Sequence, residues 1–189
     1  MRKLVAFESV TMDGYFSGAN GDLSWAHRPE KDAEFESFIA GNAQGGGVLV
    51  WGRKTYEMMK SYWPTEAARK NDPAVAERMN QLPKIVFSKT LEKADWNNTK
   101  VLKGDLPAEM RQLKNESGDE MVILGSGSIV SQLAQESLID EYQFVVVPVV
   151  LGQGRTLFEG TTKKIPMKLK SSRMFRNGNV FLTYEPRLN

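Results

Sequence analysis

Met121-Val122-Ile123-Leu124-Gly125-Ser126-Gly127-Ser128-Ile129-Val130 is the stretch whose reading decides the fold. Four apolar residues precede a turn of alternating Gly and Ser. After the turn, Ile129, Val130, Leu133 and Ala134 fall on one face of a helix. A short apolar run that changes to helical periodicity across glycines reads as strand, turn and helix, the unit from which parallel α/β sheets are assembled. The two glycines let the backbone turn tightly and approach an anion without Cβ clashes. The motif is not the Rossmann fingerprint, because Val130 stands where that pattern wants Gly or Ala. The same residues also read as a helix with serine caps.

Working outward, the pattern repeats. Residues 4–7 and 48–51 are short apolar strands, the second running into Gly52 and a helix over 53–60. Residues 31–40 space Phe35, Phe38 and Ile39 as an amphipathic helix. Residues 73–81 form a helix with Pro in its first turn, 84–87 a strand, and 107–114 a helix. Residues 142–147 are β-branched and aromatic and predict a central strand. Residues 167–176 and 179–184, joined by Asn177-Gly178, predict a terminal hairpin. No repeat or linker divides the chain, so one domain over 1–189 is expected. Alternating β and α with an antiparallel finish implies an α/β fold with a mixed sheet and helices on both faces.

Composition limits what such a domain does. The net charge of +2 gives no electrostatic reason to expect nucleic-acid binding. The absence of cysteine excludes disulfides, thiolate metal sites and cysteine nucleophiles, and no metal is expected. Residues 1–7 read as a first strand rather than a signal peptide, and the longest apolar run, 144–151, is too short to span a membrane. A soluble, cytoplasmic protein is the expectation.

Three further turns follow candidate strands. Gly52-Arg53-Lys54-Thr55 opens a helix, where free N–H groups and the dipole favour phosphate. Arg53 and Lys54 add charge, although the tetrapeptide also reads as a solvated helix start. Ser88-Lys89-Thr90 offers hydroxyls and a cation, or an ordinary polar turn. Leu151-Gly152-Gln153-Gly154-Arg155 lets backbone come close to a ligand or to another strand. Ligands of open α/β sheets bind beyond the carboxyl ends of the strands, so these turns can line one crevice.

Together these blocks resemble the dihydrofolate reductase-like superfamily. Ser9-Val10-Thr11-Met12-Asp13-Gly14 resembles its S-x-D-G loop, with one extra residue. Gly52-Arg53-Lys54-Thr55-Tyr56-Glu57 is similar to its G-R-x-T-x-E turn, and Lys84 to Leu91 to its K-x-V-x-S-x-T-L strand. Leu138-Ile139-Asp140-Glu141 and Pro148 to Gly154, followed by Leu157-Phe158, resemble most the riboflavin-biosynthesis reductase domain, the RibD C-terminal domain family. The resemblance implies a three-layer fold with an eight-stranded, mainly parallel sheet and NADPH across its strand ends. It implies that Arg53, Lys54 and Thr55 after Gly52 meet cofactor phosphates, that Ser88 and Lys89 lie near the adenosine, and that Gly125, Ser126, Gly127, Ser128 and Ile129 cradle the pyrophosphate. Asp13 and Gly14 would lie over the nicotinamide and substrate. Ser126 departs from the family's Gly-Gly turn and brings a Cβ towards the diphosphate.

The function implied is NADPH-dependent reduction of a small pteridine- or pyrimidine-like heterocycle. Such chemistry needs a proton source near the accepting atom. Asp13, Glu30, Asp32 and His27 are the groups weighed, with Asp13 and Glu30 the catalytic expectation. Glu30 has the family's spacing from Trp25, which can stack on a flat ring or simply pack. Leu151, Gly152 and Gly154 complete the expected substrate side. Two alternatives stay open: a stand-alone 5-amino-6-(5-phosphoribosylamino)uracil reductase, and a protein that binds NADPH without turnover. A homodimer through 144–151 and the terminal hairpin is the partner expectation.

Overall fold

The computed structural model describes residues 1–26, 32–44 and 47–187. The expectations placed on His27 and Glu30 lie outside the described residues.

Strands β1 (Leu4–Thr11), β3 (Val48–Gly52), β4 (Lys84–Phe87), β5 (Thr99–Leu102), β6 (Met121–Leu124) and β7 (Glu141–Val147) pair in parallel in the order β5-β4-β3-β6-β1-β7. Strands β10 (Val180–Pro186) and β9 (Met167–Met174) complete the eight-stranded sheet as an antiparallel hairpin beyond β7. The inner strands are short and apolar because helices cover both faces, which removes the alternation of a half-exposed strand. The fold is dihydrofolate reductase-like, as the resemblance implied.

On one face Ala6, Val50 and Ile123 pack with Met110 of α5 (Leu106–Asn115) and Leu133 of α6 (Gly127–Gln135). On the other, Leu49, Trp51 and Val86 pack with Tyr56 of α2 (Arg53–Tyr62), Met79 of α4 (Pro73–Gln81) and Trp96. Beyond them Val145 and Val147 meet Trp25, with Phe35 and Ile39 of α1 (Ala33–Gln44) against the same cluster.

The structure differs from the sequence expectation in three places. Strand β1 continues through Glu8 to Thr11, because those residues pair with Phe144 to Val147 of β7. The polar residues there had read as the start of a loop. That loop contains β2 (Tyr15–Ser17), which pairs with β8 (Arg155–Thr156), and two 3-10 turns. Helix α3 (Glu66–Asn71) and edge strand β5 have sequences too short and mixed to show periodicity. Strand β7 lies inside the sheet, between β1 and β10, as its β-branched and aromatic sequence predicts. Leu169 and Met174 of β9 are the exposed apolar residues of the hairpin. Among the described residues no helix is long and apolar enough to cross a membrane.

Gly154 fixes how β2 meets β8. Its φ is +149°, and a Cβ there would lie 2.3 Å from the Ser17 carbonyl oxygen. Gly154→Ala is expected to destabilise the protein by about 1–3 kcal/mol in urea unfolding. Gly41→Ala, on an open part of α1 with nothing within 4 Å, is expected to stabilise it by about 0.5–1 kcal/mol. Equal effects at the two sites would contradict the close approach.

Candidate functional site

A cavity of about 680 Å³ opens at the carboxyl ends of β3, β4 and β6, beside the middle of β1. This is within the usual range for small-molecule and cofactor sites. Its position follows from topology. Strands β3 and β6 are parallel neighbours, registered from Val48 opposite Met121 to Val50 opposite Ile123, so their terminal turns emerge side by side.

Ser126 joins those turns. Its Oγ accepts from the Gly52 N–H at 2.9 Å and donates to Thr55 Oγ1 at 2.7 Å. Gly125 and Ser126 both have positive φ, 72° and 81°. A left-handed residue next to a right-handed one, as Ser126 is next to helical Gly127, is the geometry in which backbone N–H groups turn towards an anion. Ser126 is the N-cap of α6 by position but makes no side-chain cap to that helix. The departure that brought a Cβ to this turn therefore has a structural use, because the hydroxyl is committed to the neighbouring turn. Gly127 accommodates the Phe16 ring, which a Cβ would meet at 2.5 Å.

Every expected cofactor residue except Gly14 lines this cavity: Gly52, Arg53, Lys54, Thr55, Ser88, Lys89, Gly125, Ser126, Gly127, Ser128 and Ile129. Arg53 is held by Glu57 at 2.7 Å and Thr90 at 2.8 Å. Ser88 Oγ accepts from the Leu91 N–H at 3.0 Å and so caps its own turn. Trp25 also lines the cavity, its indole N–H donating to the Asp22 carbonyl at 3.2 Å.

The other expected residues lie elsewhere. Asp13, Gly14, Leu151, Gly152 and Gly154 do not line the cavity. The Asp13 carboxylate accepts from Thr11 Oγ1 at 2.6 Å, the Gly152 N–H at 2.8 Å and the Leu151 N–H at 3.1 Å. The Thr11 and Gly152 hydrogen bonds hold its pKa below the ordinary aspartate value. It is a clamp between two loops and is poorly suited to donate a proton at neutral pH. Gly14, at φ +84°, closes the same turn. Gly154 serves the approach to another strand that its sequence also allowed. Asp32 caps α1 through Glu34 and Phe35 N–H groups at 3.0 and 3.2 Å.

Glu8 was not anticipated. It lines the cavity from the middle of the sheet, is 3% exposed, and its Oε1 has no hydrogen-bond partner. Burial pushes its carboxyl well above the ordinary glutamate range. Its one sequence signal was an acid inside the run Leu4-Val5-Ala6-Phe7-Glu8-Ser9-Val10-Thr11. Phe16 and Arg155 also line the cavity, the guanidinium 5.6 Å from the ring centroid. Among the described residues, no group of three or more His, Asp or Glu side chains could hold a metal ion.

Comparison with known proteins agrees with this architecture. Uncharacterized protein YyaP of Bacillus subtilis is 26% identical over 183 residues, covering 97% of this chain and 94% of that protein. Three solved structures share the fold. A protein of Shewanella sp. PV-4, provisionally assigned to riboflavin biosynthesis, superposes with a TM-score of 0.74 at 23% identity, over 98% of this chain and 99% of its own. The deaminase/5-amino-6-(5-phosphoribosylamino)uracil reductase of Thermotoga maritima gives 0.68 at 15% identity, over 98% and 57%. Dihydrofolate reductase of Enterococcus faecalis, complexed with NADP(H), gives 0.64 at 14% identity, over 98% and 97%. The family model of the RibD C-terminal domain matches residues 2–181, and the chain belongs to that family.

Proposed function

We propose that this protein is an NADPH-dependent reductase of a small pteridine- or pyrimidine-like heterocycle. The observation that carries the proposal is the pair of strand-to-helix turns bridged by Ser126 at one cavity. The residues present fit a phosphorylated dinucleotide. Helix α6 starts without a side-chain cap, so its first N–H groups are available to a diphosphate. Lys54 and Lys89 line the same cavity as Arg53 and supply positive charge for further phosphates. When bound, NADPH supplies the hydride. The chain holds its phosphates at the two turns, with Lys89 at the adenosine end, and leaves the Trp25, Phe16 and Glu8 side of the cavity to the substrate.

One observation favours a substrate that itself carries a phosphate. Arg155 lines the cavity with its guanidinium over the Phe16 ring and is ion-paired with Glu159 at 3.3 Å. A phosphoribosylated aminopyrimidine, the substrate class in the name of the Thermotoga neighbour, would take over that guanidinium from the exposed Glu159 carboxylate.

Addition of NADPH is expected to change the fluorescence of Trp25 saturably. Oxidation is then followed by absorbance with dihydrofolate, 5-amino-6-(5-phosphoribosylamino)uracil and quinones in turn. Binding with no oxidation across the panel would support a non-catalytic protein. No saturable binding would contradict the proposal outright. Lys89→Ala is expected to weaken NADPH about 10- to 100-fold, the loss of one charge-assisted contact, and to affect NADH much less. Ser126→Ala leaves the Gly52 N–H without its partner. It is expected to cost about 1–3 kcal/mol of stability in urea unfolding and to weaken NADPH as well. Unchanged stability and affinity would show that the bridge does not organise the site.

A further inference from the structure

Two carboxyl groups line the cavity among the described residues, Glu8 and Asp105. Asp105 is occupied, capping α5 by accepting from the Ala108 N–H at 3.0 Å. Glu8 has no such task. It is in the middle of β1, opposite Phe144 of β7, and its side chain shares the sheet face of Ala6 and Val10. That face packs against Ile129, at the start of α6. Oε1 is buried without a partner, in a molecule whose other buried polar groups are mostly satisfied. An acid kept at the inner wall of a cavity, with no salt bridge and no cap to serve, lacks a structural reason to be there.

We propose that the carboxyl of Glu8 is the proton donor of the reduction. The inference rests on the reductase reading above. A hydride arriving on the electron-poor carbon of a C=N or C=O acceptor forms a C–H bond. The π pair moves to the heteroatom, which takes the Glu8 proton as the carboxyl O–H bond breaks. The products are the reduced substrate, NADP⁺ and a Glu8 carboxylate, which recovers a proton from water.

Burial suits Glu8 to this step. Desolvation raises its pKa well above the ordinary glutamate value, which favours the acid form that a proton donor needs. The other charged groups lining the cavity are Arg53, Lys54, Lys89, Asp105 and Arg155, and none of them forms an ion pair or hydrogen bond with Glu8. The carboxylate left behind after transfer is destabilised in the same surroundings, which favours its reprotonation before the next turnover.

The test compares wild type with Glu8→Gln, which keeps shape and neutrality but cannot give up a proton. The infrared spectrum of the wild type at neutral pH is expected to show a protonated carboxyl band that Glu8→Gln lacks. NADPH affinity, read by Trp fluorescence, is expected to agree within about threefold between the two. Turnover with whichever panel acceptor the wild type reduces is expected to fall at least about 100-fold. The wild-type rate should decline as pH rises through the Glu8 pKa, while the residual rate of Glu8→Gln should lack that decline.

Stability supplies an independent sign. The folded pKa of Glu8 lies above the unfolded value of 4.5, so the native state holds the extra proton between the two. Wild-type stability conferred by Glu8 is therefore full below 4.5 and is lost as pH rises through the folded pKa. Glu8→Gln should gain on the wild type over that window. A fully ionised Glu8 at neutral pH, or Glu8→Gln turning over within about threefold of wild type, would overturn the proton-donor role alone. A wild type that oxidises no NADPH with any acceptor would overturn the role together with the reductase reading. Should Glu8→Gln not fold, the infrared band and the wild-type pH profile still decide.

Discussion

The Ser126 hydroxyl ties the turn after β6 to the turn after β3, accepting from the Gly52 N–H and donating to Thr55. The bond is possible because β3 and β6 are adjacent and parallel, which brings two helix N-termini to one edge of the sheet. It has a cost, since a non-glycine residue with φ of 81° is strained. Two hydrogen bonds to a neighbouring element offset that cost and fix the spacing between the turns. The rest of the cavity is arranged around this joint. Gly127 leaves space for Phe16, and β2, which carries Phe16, is held against β8 by the close approach at Gly154.

Charge is distributed unevenly around the cavity. Arg53, Lys54 and Lys89 come from the turns after β3 and β4, next to the uncapped start of α6. Trp25, Phe16 and the buried acid of Glu8 also line the cavity, Phe16 packing on Gly127 with Arg155 over its ring. A long polyanionic ligand with a flat, uncharged end suits this division. The anionic part finds cations and N–H groups, and the flat part finds rings and the buried carboxyl. Asp13, by contrast, is kept ionised by Thr11 and the 151–152 backbone. Its task is to hold the loop after β1 against the loop after β7.

Much of the architecture was legible because the chain uses local signals consistently. Strands β4 and β6 and helix α4 coincide with their apolar runs and breakers. The turns at 52–55 and 125–129 were legible for the same reason, since glycine there separates an apolar run from helical periodicity. What escaped notice was set by tertiary contact. The polar residues of β1 are strand because β7 pairs with them, and periodicity carries no trace of that partner. Glu8, just past the expected strand 4–7, escaped notice for the same reason. Gly152 and Gly154 gave a true signal of close backbone approach, but the sequence does not say whether the approaching group is a ligand or Ser17.

Hydrogen exchange with and without NADPH tests the central claim most directly. The two-turn account predicts that added NADPH slows exchange in residues 52–55 and 125–129 together, while the β9–β10 hairpin is unchanged. Protection of neither turn, or of one without the other, would contradict it.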